Sequence, residues 1–199
     1  MKLVFATHNQ NKFEEVKNLI PAHIDLVSLN DIGCFDEIQE TGKTLEENAR
    51  IKADHITSHF RLACFADDTG LLVDALNGQP GVYSARYAGL QKNADDNMNK
   101  LLSELKGKTN RTARFKTVIA LNLNEKSYQF TGTVEGQITA DKKGEQGFGY
   151  DPIFRPRGYE KTFAELPIEI KNEIGHRGTA IKQLILFLKD ELSCPITKK

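Results

Sequence analysis

The sequence predicts an α/β fold with a mixed β-sheet, and three observations point to it. Short apolar runs alternate with amphipathic helical segments in the first third of the chain, which is typical of α/β units. Two long runs of strand-forming residues follow in the middle, joined by a short turn, which is typical of an antiparallel hairpin. The length of 199 residues fits one large domain or two lobes that share a sheet.

The first third of the chain supplies the alternating elements. Residues 2–6 form a short buried strand, and residues 12–20 show the helical spacing of apolar side chains, which ends at Pro21. Residues 24–29 form a second strand. Residues 44–60 form a helix whose first residues, TLEE, fit a capping box.

The remaining elements are predicted from apolar runs and turn residues. They are a strand that leads into FADD, a further strand at 71–73, a helix at 93–105, long strands at 113–122 and 128–139 paired across a turn at 122–127, and a final helix at 179–192. Glycine-rich loops are predicted at 77–89 and 144–150, and the tail after residue 192 is expected to fray.

The composition excludes several classes of protein. Lys and Arg together number 27, as do Asp and Glu, and this balance argues against a general binder of nucleic acid or of a membrane surface. No apolar run approaches the ~18–20 residues that span a bilayer. The amino terminus turns polar too soon for a secretion signal. We therefore expect neither a nucleic-acid partner nor a membrane partner.

The cysteines indicate the redox environment. Cys34, Cys64 and Cys194 match neither a disulfide framework nor a zinc site. Cys64 lies in an apolar run and is expected to be a small core residue. A reducing, cytoplasmic location is the resulting expectation.

The stretch ACFADDTG at 63–70 places two carboxylates, Asp67 and Asp68, side by side at the end of an apolar run. Adjacent acids repel, and burying either one is costly without a partner or a cation. One interpretation is a turn, since Asp, Thr and Gly are turn formers. The other is a site at the carboxyl end of a strand, where a metal ion and a phosphate would relieve the repulsion.

A polar segment, THNQNK, separates the first predicted strand from the first predicted helix. Its residues are Thr7, His8, Asn9, Gln10, Asn11 and Lys12. Backbone amides at the amino end of a helix favour phosphate, and a lysine there adds positive charge. The alternative is that Thr or Asn caps the helix and the lysine is solvated.

The segment ETGKT at 40–44 precedes the predicted helix at 44–60. Glu40 could complete a metal site with Asp67 and Asp68, because Mg²⁺ takes one or two protein carboxylates and binds substrate phosphates with its other positions. The alternative is a surface turn.

Two glycines flank Phe148 in the segment QGFGYDP at 146–152. Glycines such as Gly149 let a backbone approach a flat ligand, and Phe148 could stack on a base. Tyr150 and Asp151 follow, the latter fixed by a proline. The alternative is a glycine-rich hairpin loop with aromatic side chains packed beneath it.

Positively charged side chains gather in the segment KNEIGHRG at 171–178. Lys171, His176 and Arg177 suit a phosphate or a carbonyl acceptor on a base. The alternative is a charged loop before the final helix.

Taken together and in this order, these motifs resemble those of the inosine triphosphate pyrophosphatase family, which acts on noncanonical purine triphosphates. The matching stretches are ATHNQNK at 6–12, ETGKTLEENA at 40–49, FADDTGLLVDALNGQPGVYSARYAG at 65–89, GFGYDPIF at 147–154 and GHRGTA at 175–180. The resemblance covers nearly the whole chain, and the combination of FADDTGL, PGVYSARY and GFGYDPIF is highly specific.

The resemblance implies an activity, an architecture and partners. The family hydrolyses ITP, dITP and XTP to the nucleoside monophosphate and pyrophosphate with Mg²⁺, and so removes deaminated purines from the nucleotide pool. A single pyrophosphatase domain is implied over residues 1–199. Its two lobes would surround a long mixed sheet with flanking helices, and the active site would lie in the cleft between the lobes. A homodimer is also implied.

The resemblance further implies roles for individual residues. The segment from Thr7 to Lys12 would hold the phosphates. Asp68 would be the general base and a metal ligand, Glu40 would be a second ligand, and Thr69 would contact the nucleotide. The sugar and base pocket would be formed by Phe148, Gly149, Tyr150, Asp151, Lys171, His176 and Arg177. The chain departs from the family at residue 8, which is glycine in many members, and at residue 69, where serine is commoner.

Base selection follows from hydrogen-bonding groups. Inosine and xanthine carry a 6-oxo acceptor, whereas adenine presents a 6-amino donor. Arg177, the His176 ring or a nearby backbone amide would pair with the oxo group and would meet a donor in ATP, leaving both groups unpaired. A nucleotide-binding module without turnover is the competing interpretation. The acidic set argues against it, because base recognition alone does not need those carboxylates.

Overall fold

The computed structural model describes residues 1–193, and in that part of the chain seven strands form one mixed sheet. The strands are β1 (Lys2–Phe5), β2 (Asp25–Val27), β3 (Cys64–Val73), β4 (Pro80–Gly81), β5 (Thr112–Leu123), β6 (Lys126–Ile138) and β7 (Phe154–Pro156). Their order is β2-β1-β3-β5-β6-β7, and β4 pairs with β3. β1 is parallel to β2 and β3, whereas the other pairs are antiparallel, which confirms the predicted mixed sheet.

Within the same residues, five α-helices accompany the sheet. They are α1 (Gln10–Lys17), α2 (Leu45–Phe60), α3 (Ala94–Glu104), α4 (Ile168–Ile174) and α5 (His176–Ser193). Separate clusters of buried apolar side chains lie under α2, under α1 with α5, and under α3. No helix in this range has the length and apolar character that a membrane crossing requires. The predicted fraying of the tail falls almost wholly on residues outside the described range.

β3 corrects the prediction for the acidic stretch. The two strands predicted around FADD and at 71–73 are one ten-residue strand, so Asp67 and Asp68 lie in its middle and form no turn. The reason is that β5 pairs with every residue of β3, which continues the ladder through the acids. β1 stops at Phe5, opposite Phe65, so the acids lie just past the carboxyl end of β1.

Local signals define two elements as predicted. The side chain of Thr44 accepts a hydrogen bond from the backbone N–H of Glu47, and the Glu47 side chain accepts one from Thr44, so the capping box of α2 is confirmed. β5 and β6 pair across a two-residue turn at Asn124 and Glu125, both at positive φ. That geometry suits the right-handed twist of a hairpin and confirms the predicted pair of long strands.

α1 begins at Gln10, two residues earlier than predicted. The cause is Asn9, whose side chain accepts a hydrogen bond from the backbone N–H of Lys12 at 3.1 Å. The capping alternative for this polar segment is therefore present in the structure. β2 is shorter than the predicted strand at 24–29 and covers Asp25–Val27.

The sequence does not predict β4, β7 or α4, and α5 begins at His176 instead of residue 179. The three missed elements are too short to show a period. Gly178 lowers helix propensity in the first turn of α5. A Cβ at Gly178 would lie 1.9 Å from the main-chain oxygen of Asn172, so glycine here lets α4 and α5 touch. The KNEIGHRG segment is therefore a junction between two helices.

Candidate active site

A cleft with a volume of about 880 Å³ opens beside β3, past the end of β1. Its walls come from the loop after β1, the segment before α2, the glycine-rich loop and the α4–α5 junction. The predicted site residues that line it are Thr7, His8, Asn9, Asn11, Lys12, Glu40, Asp68, Thr69, Phe148, Gly149, Tyr150, Asp151, Lys171, His176 and Arg177. Motifs that are far apart in the sequence therefore meet in one cleft.

Gln10 is the predicted site residue that is absent from the cleft lining. Its side-chain amide donates to Oε1 of Glu14 at 2.6 Å, one turn further along α1. The structure therefore does not bring Gln10 together with the other predicted residues.

Asp67 is a buried ion-pair centre. Its Oδ1 accepts a hydrogen bond from Nζ of Lys12 at 2.9 Å, and its Oδ2 accepts one from Nε of Arg177 at 3.2 Å. Only 1% of its surface is exposed. Burial opposes ionisation, but Lys12, Arg177 and Lys52 outweigh it and hold the pKa of Asp67 well below its usual 3.8. Asp67 therefore stays ionised and holds α1 and α5 against β3.

Asp68 lies on the other face of β3, because successive side chains of a strand alternate. Its Oδ2 accepts from the side-chain amide of Asn48 at 3.1 Å, and its Oδ1 accepts from the backbone N–H of Thr69 at 2.9 Å. Burial raises the pKa of Asp68, and the charge of Glu40 raises it further, against the effect of Lys52 and Lys12. The two adjacent acids thus occupy different environments.

Lys52 connects the acidic groups from the side of α2. Its Nζ donates to Oε1 of Glu40 at 2.5 Å and to the main-chain oxygen of Asp67 at 2.7 Å. Nη1 of Arg86 lies 3.7 Å from the other oxygen of Glu40. Burial lowers the pKa of Lys52, but Asp68, Glu40 and Asp67 together raise it above its usual value. Lys52 therefore carries a positive charge at the acidic end of the cleft.

Two carboxylates, Glu15 and Asp151, hold the cations of the α4–α5 junction. Nζ of Lys171 donates to Oδ2 of Asp151 and to Oε1 of Glu15, both at 2.7 Å. Glu15 also accepts a hydrogen bond from Arg177. Since Glu15 lies on α1 and Asp151 follows the glycine-rich loop, these bonds fix Lys171 and Arg177 between the two elements.

Phe148 is presented by a loop that folds around Asp151. Gly147 has φ +76°, and a Cβ there would lie 2.1 Å from Oδ2 of Asp151. The same carboxylate oxygen accepts the backbone N–H of Phe148 at 2.8 Å. Nζ of Lys171 lies 4.8 Å and Cζ of Arg177 lies 5.6 Å from the centre of the Phe148 ring. A flat aromatic group and two cations therefore share this end of the cleft.

His176 is held on three sides at the start of α5. Its Nδ1 lies 2.6 Å from Oγ1 of Thr117, and its ring stacks on Phe115 with 4.8 Å between ring centres. Gly132 of β6 makes room for the backbone, because a Cβ there would lie 2.0 Å from the main-chain oxygen of His176. The sheet therefore sets the position of this imidazole.

Replacing Gly132 by alanine is expected to lower the free energy of unfolding by about 1–3 kcal/mol, because the added methyl group must push α5 off the sheet. Urea denaturation measures the loss. Thr133→Ala, at an exposed position one residue along β6, is the control and should change stability by less than about 0.5 kcal/mol. A Gly132→Ala protein as stable as the wild type would show that His176 is not packed against this strand.

A family model described as the Ham1 family matches residues 3–187. The chain belongs to the Ham1 family. The match spans every element of the cleft, and it confirms the resemblance that the motifs indicated.

Relatives and solved structures of the Ham1 family agree with this assignment. The "dITP/XTP pyrophosphatase" of Flavobacterium johnsoniae is 62% identical over 94% of this chain and 98% of its own length. The protein of the same name from Christiangramia forsetii is 58% identical over 94% and 99%, respectively. The structure of the Staphylococcus aureus Ham1 protein superposes with a TM-score of 0.88 at 41% identity, covering 96% of this chain and 100% of that one.

The donor set at the acidic end of this Ham1-family cleft fits a magnesium ion. Glu40 and Asp68 both line the cleft and present carboxylate oxygens, the hard ligands that Mg²⁺ prefers. Among residues 1–193, no group of three or more His, Cys, Asp or Glu side chains could hold a metal. Mg²⁺ commonly takes one or two protein carboxylates and completes its coordination with water and phosphate oxygens.

Four polar residues of the Ham1-family site were not predicted from the sequence, namely Glu15, Asn48, Lys52 and Thr117. The sequence could have indicated Asn48 and Lys52, because these polar residues lie at helical spacing among the buried positions of α2 and are themselves buried. Glu15 and Thr117 could not have been indicated in this way, since a glutamate in a short helix and a threonine in a strand are ordinary choices.

Proposed function

We propose that this chain hydrolyses the deaminated purine triphosphates ITP, dITP and XTP to the nucleoside monophosphate and pyrophosphate. Support comes from relatives named dITP/XTP pyrophosphatase that span nearly the whole chain. The observation that carries the proposal is that Asp68 lines the cleft without an ion-pair partner in the part of the chain that the structure describes. The other carboxylates that line the cleft, Glu37, Glu40 and Asp151, are ion-paired, whereas Asp68 has no ion-pair partner among residues 1–193.

The cleft has an end for phosphates and an end for the base. Lys12, Lys52 and the amino end of α1 line the cleft with positive charge and N–H donors, and the charges of both lysines act on Asp68. Phe148, with Lys171 and Arg177 over its ring, offers a stacking surface at the other end. In this proposal the triphosphate lies along the cleft with its purine toward the glycine-rich loop.

Asp68 acts as the general base in this proposal. Its carboxylate accepts one proton from water while the water oxygen bonds to phosphorus, and the broken phosphorus–oxygen bond leaves its electron pair on pyrophosphate. Lys12 and Lys52 stabilise the negative charge that develops on the phosphate oxygens. Mg²⁺ held by Asp68 and Glu40 would supply further positive charge there and keep Asp68 ionised at neutral pH.

The products test the reaction. When ITP is followed by chromatography, IMP and pyrophosphate should appear together in equal amounts from the first time point, with no IDP. Removing divalent cations with a chelator should abolish turnover, and added Mg²⁺ should restore it. Early accumulation of IDP and orthophosphate would show a sequential phosphatase instead, and turnover in excess chelator would contradict the metal assignment.

Truncating Phe148 tests the base end of the cleft. Phe148→Ala should weaken all purine triphosphates alike, raising KM by the equivalent of about 1–3 kcal/mol, because every base has a flat face to stack. Phe35→Ala is the matched control, since Phe35 is 75% exposed and lies outside the cleft lining. An effect of Phe148→Ala confined to ITP and XTP would contradict simple stacking.

We also infer a homodimer that acts in the cytoplasm. The family resemblance supports the dimer, and light scattering of the purified chain tests it, with a monomer as the contradicting result. Cys34 and Cys64 are buried free thiols, which is consistent with a reducing compartment.

A further inference from the structure

A row of three residues crosses the sheet beneath His176. Thr69 of β3 lies opposite Thr117 of β5, and Thr117 lies opposite Gly132 of β6. The two threonine hydroxyls are 2.7 Å apart, and Oγ1 of Thr117 is 2.6 Å from Nδ1 of His176. A hydrogen-bonded chain therefore runs from Thr69 through Thr117 to one ring nitrogen of His176.

The second ring nitrogen of His176, Nε2, has no hydrogen-bond partner among residues 1–193, and since no buried side-chain nitrogen there lacks a partner, this atom is open to the cleft. His176 lines the cleft, and Nδ1 is the nitrogen that the described residues engage. Burial, together with the charges of Arg177 and Lys171, lowers the pKa of His176 well below its usual value, so the ring is neutral at neutral pH. A neutral imidazole carries one proton, on either Nδ1 or Nε2. That choice decides whether the ring donates to a ligand or accepts from it.

The hydrogen bonds from Thr69 through Thr117 to His176 can run in two directions, because each threonine hydroxyl donates only one proton. In the first, Thr69 donates to Asp67, Thr117 donates to Thr69, and His176 donates from Nδ1. In the second, Thr69 donates to Thr117, which donates to Nδ1.

Distances favour the second direction. Oγ1 of Thr69 is 3.2 Å from Oδ2 of Asp67, beyond the range of about 2.5–3.0 Å usual for hydroxyl donors. The 2.7 Å hydrogen bond between Thr69 and Thr117 is present in both directions, so the long contact to Asp67 is the distance that separates them. Nη2 of Arg177 donates to Oγ1 of Thr69 at 3.3 Å in either direction, whereas Asp67 already accepts from Lys12 and Arg177 and does not depend on the Thr69 proton.

We propose that Thr117 fixes the tautomer of His176 and is thereby a specificity-determining positioning residue. The Thr117 hydroxyl donates to Nδ1, so the ring proton resides on Nε2 and this N–H points into the cleft. An N–H donor pairs with the 6-oxo acceptor of a deaminated purine and meets a second donor in the 6-amino group of adenine. The substrate side of the proposal rests on the proposed function, whereas the tautomer is a property of the free protein.

The position of the His176 ring is fixed by its neighbours. Phe115 and Thr117 lie two residues apart on β5 and therefore on the same face, where one stacks on the imidazole and the other bonds to it. The packing of His176 against Gly132 holds the backbone. The tautomer is thus set by a single hydroxyl on a rigid strand.

Nitrogen NMR of the free protein, labelled with ¹⁵N-histidine, tests the tautomer directly. His176→Gln identifies the His176 signals by their loss. The wild type should show protonated Nε2 and unprotonated Nδ1. Thr117→Ser keeps the hydroxyl and should keep this pattern, whereas Thr117→Val keeps the shape of the side chain and should give a mixture of tautomers. A wild-type ring protonated on Nδ1 would overturn the proposal, as would an unchanged pattern in Thr117→Val.

Kinetics of the same variants test the consequence for specificity. Thr117→Val should lower the ratio of kcat/KM for ITP to that for ATP by about tenfold, and Thr117→Ser should restore it. An equal loss on both substrates, without a change in their ratio, would overturn the role in specificity. If the protein has the Nε2–H tautomer but hydrolyses no triphosphate, the role of Thr117 in fixing the tautomer is supported and the proposed function is overturned. Failure of the tautomer proposal and failure of the proposed function are therefore distinguishable.

Discussion

Replacing Asp68 by asparagine should lower the turnover of ITP at least about 100-fold, because it removes the proton acceptor and a metal ligand while barely changing shape. The fold should not suffer. Burial raises the pKa of Asp68, which means that the ionised carboxylate is disfavoured in the folded protein. A neutral amide removes that cost but sets its NH₂ group against one of the two donors that Asp68 accepts from, so the stability should change little.

Steady-state assays with pyrophosphate detection, together with thermal unfolding, measure both effects. Asp74→Asn is the matched control: Asp74 directly follows β3, and its ion pair with Arg114 is on the surface. That control should keep normal turnover and lose less than about 1 kcal/mol. A folded Asp68→Asn protein with near-normal turnover would remove Asp68 from the mechanism.

The same substitution one residue earlier is expected to act on stability instead. Asp67→Asn should lower the free energy of unfolding by about 3–5 kcal/mol, because it takes the paired carboxylate from buried Lys12 and one of the two carboxylates that pair with Arg177. Activity should fall as well, but through the displacement of these two side chains. Urea denaturation against the Asp74→Asn control measures the loss.

The pH dependence of this loss has a defined sign. The folded pKa of Asp67 lies below its unfolded value, so its stabilising effect is complete above the unfolded pKa and disappears as the pH falls through the folded one. The stability gap between the wild type and Asp67→Asn should therefore be constant near neutral pH and shrink only below about pH 4. A gap that shrinks between pH 8 and about pH 6 would place the effect on another group.

Local signals predicted those parts of the fold that depend on neighbouring residues. The capping box at Thr44 and Glu47 and the hairpin between β5 and β6 are encoded within a few residues of where they occur. The course of the chain through Asp67 and Asp68 depends instead on pairing with Val118 and Ile119, some fifty residues away. No local pattern distinguishes such a strand from a turn.

In the candidate site, too, local motifs were predictable from the sequence, whereas features that depend on distant contacts were not. The motifs identified the segments that form the cleft, since each contains glycine, charge or an aromatic residue in an unusual combination. Sequence could not assign different roles to Asp67 and Asp68, because the roles depend on which cations reach each face of β3. Lys52 could have been found as a charged residue among the buried positions of α2.

Base selectivity is the most direct measurement of the proposed function. Values of kcat/KM should be determined with Mg²⁺ for ITP, dITP, XTP, ATP and GTP, with pyrophosphate and orthophosphate measured separately. The three deaminated substrates should exceed ATP and GTP by at least about 100-fold, and all should release pyrophosphate. Equal values for ITP and ATP, or release of orthophosphate alone, would contradict an enzyme that removes deaminated purines from the nucleotide pool.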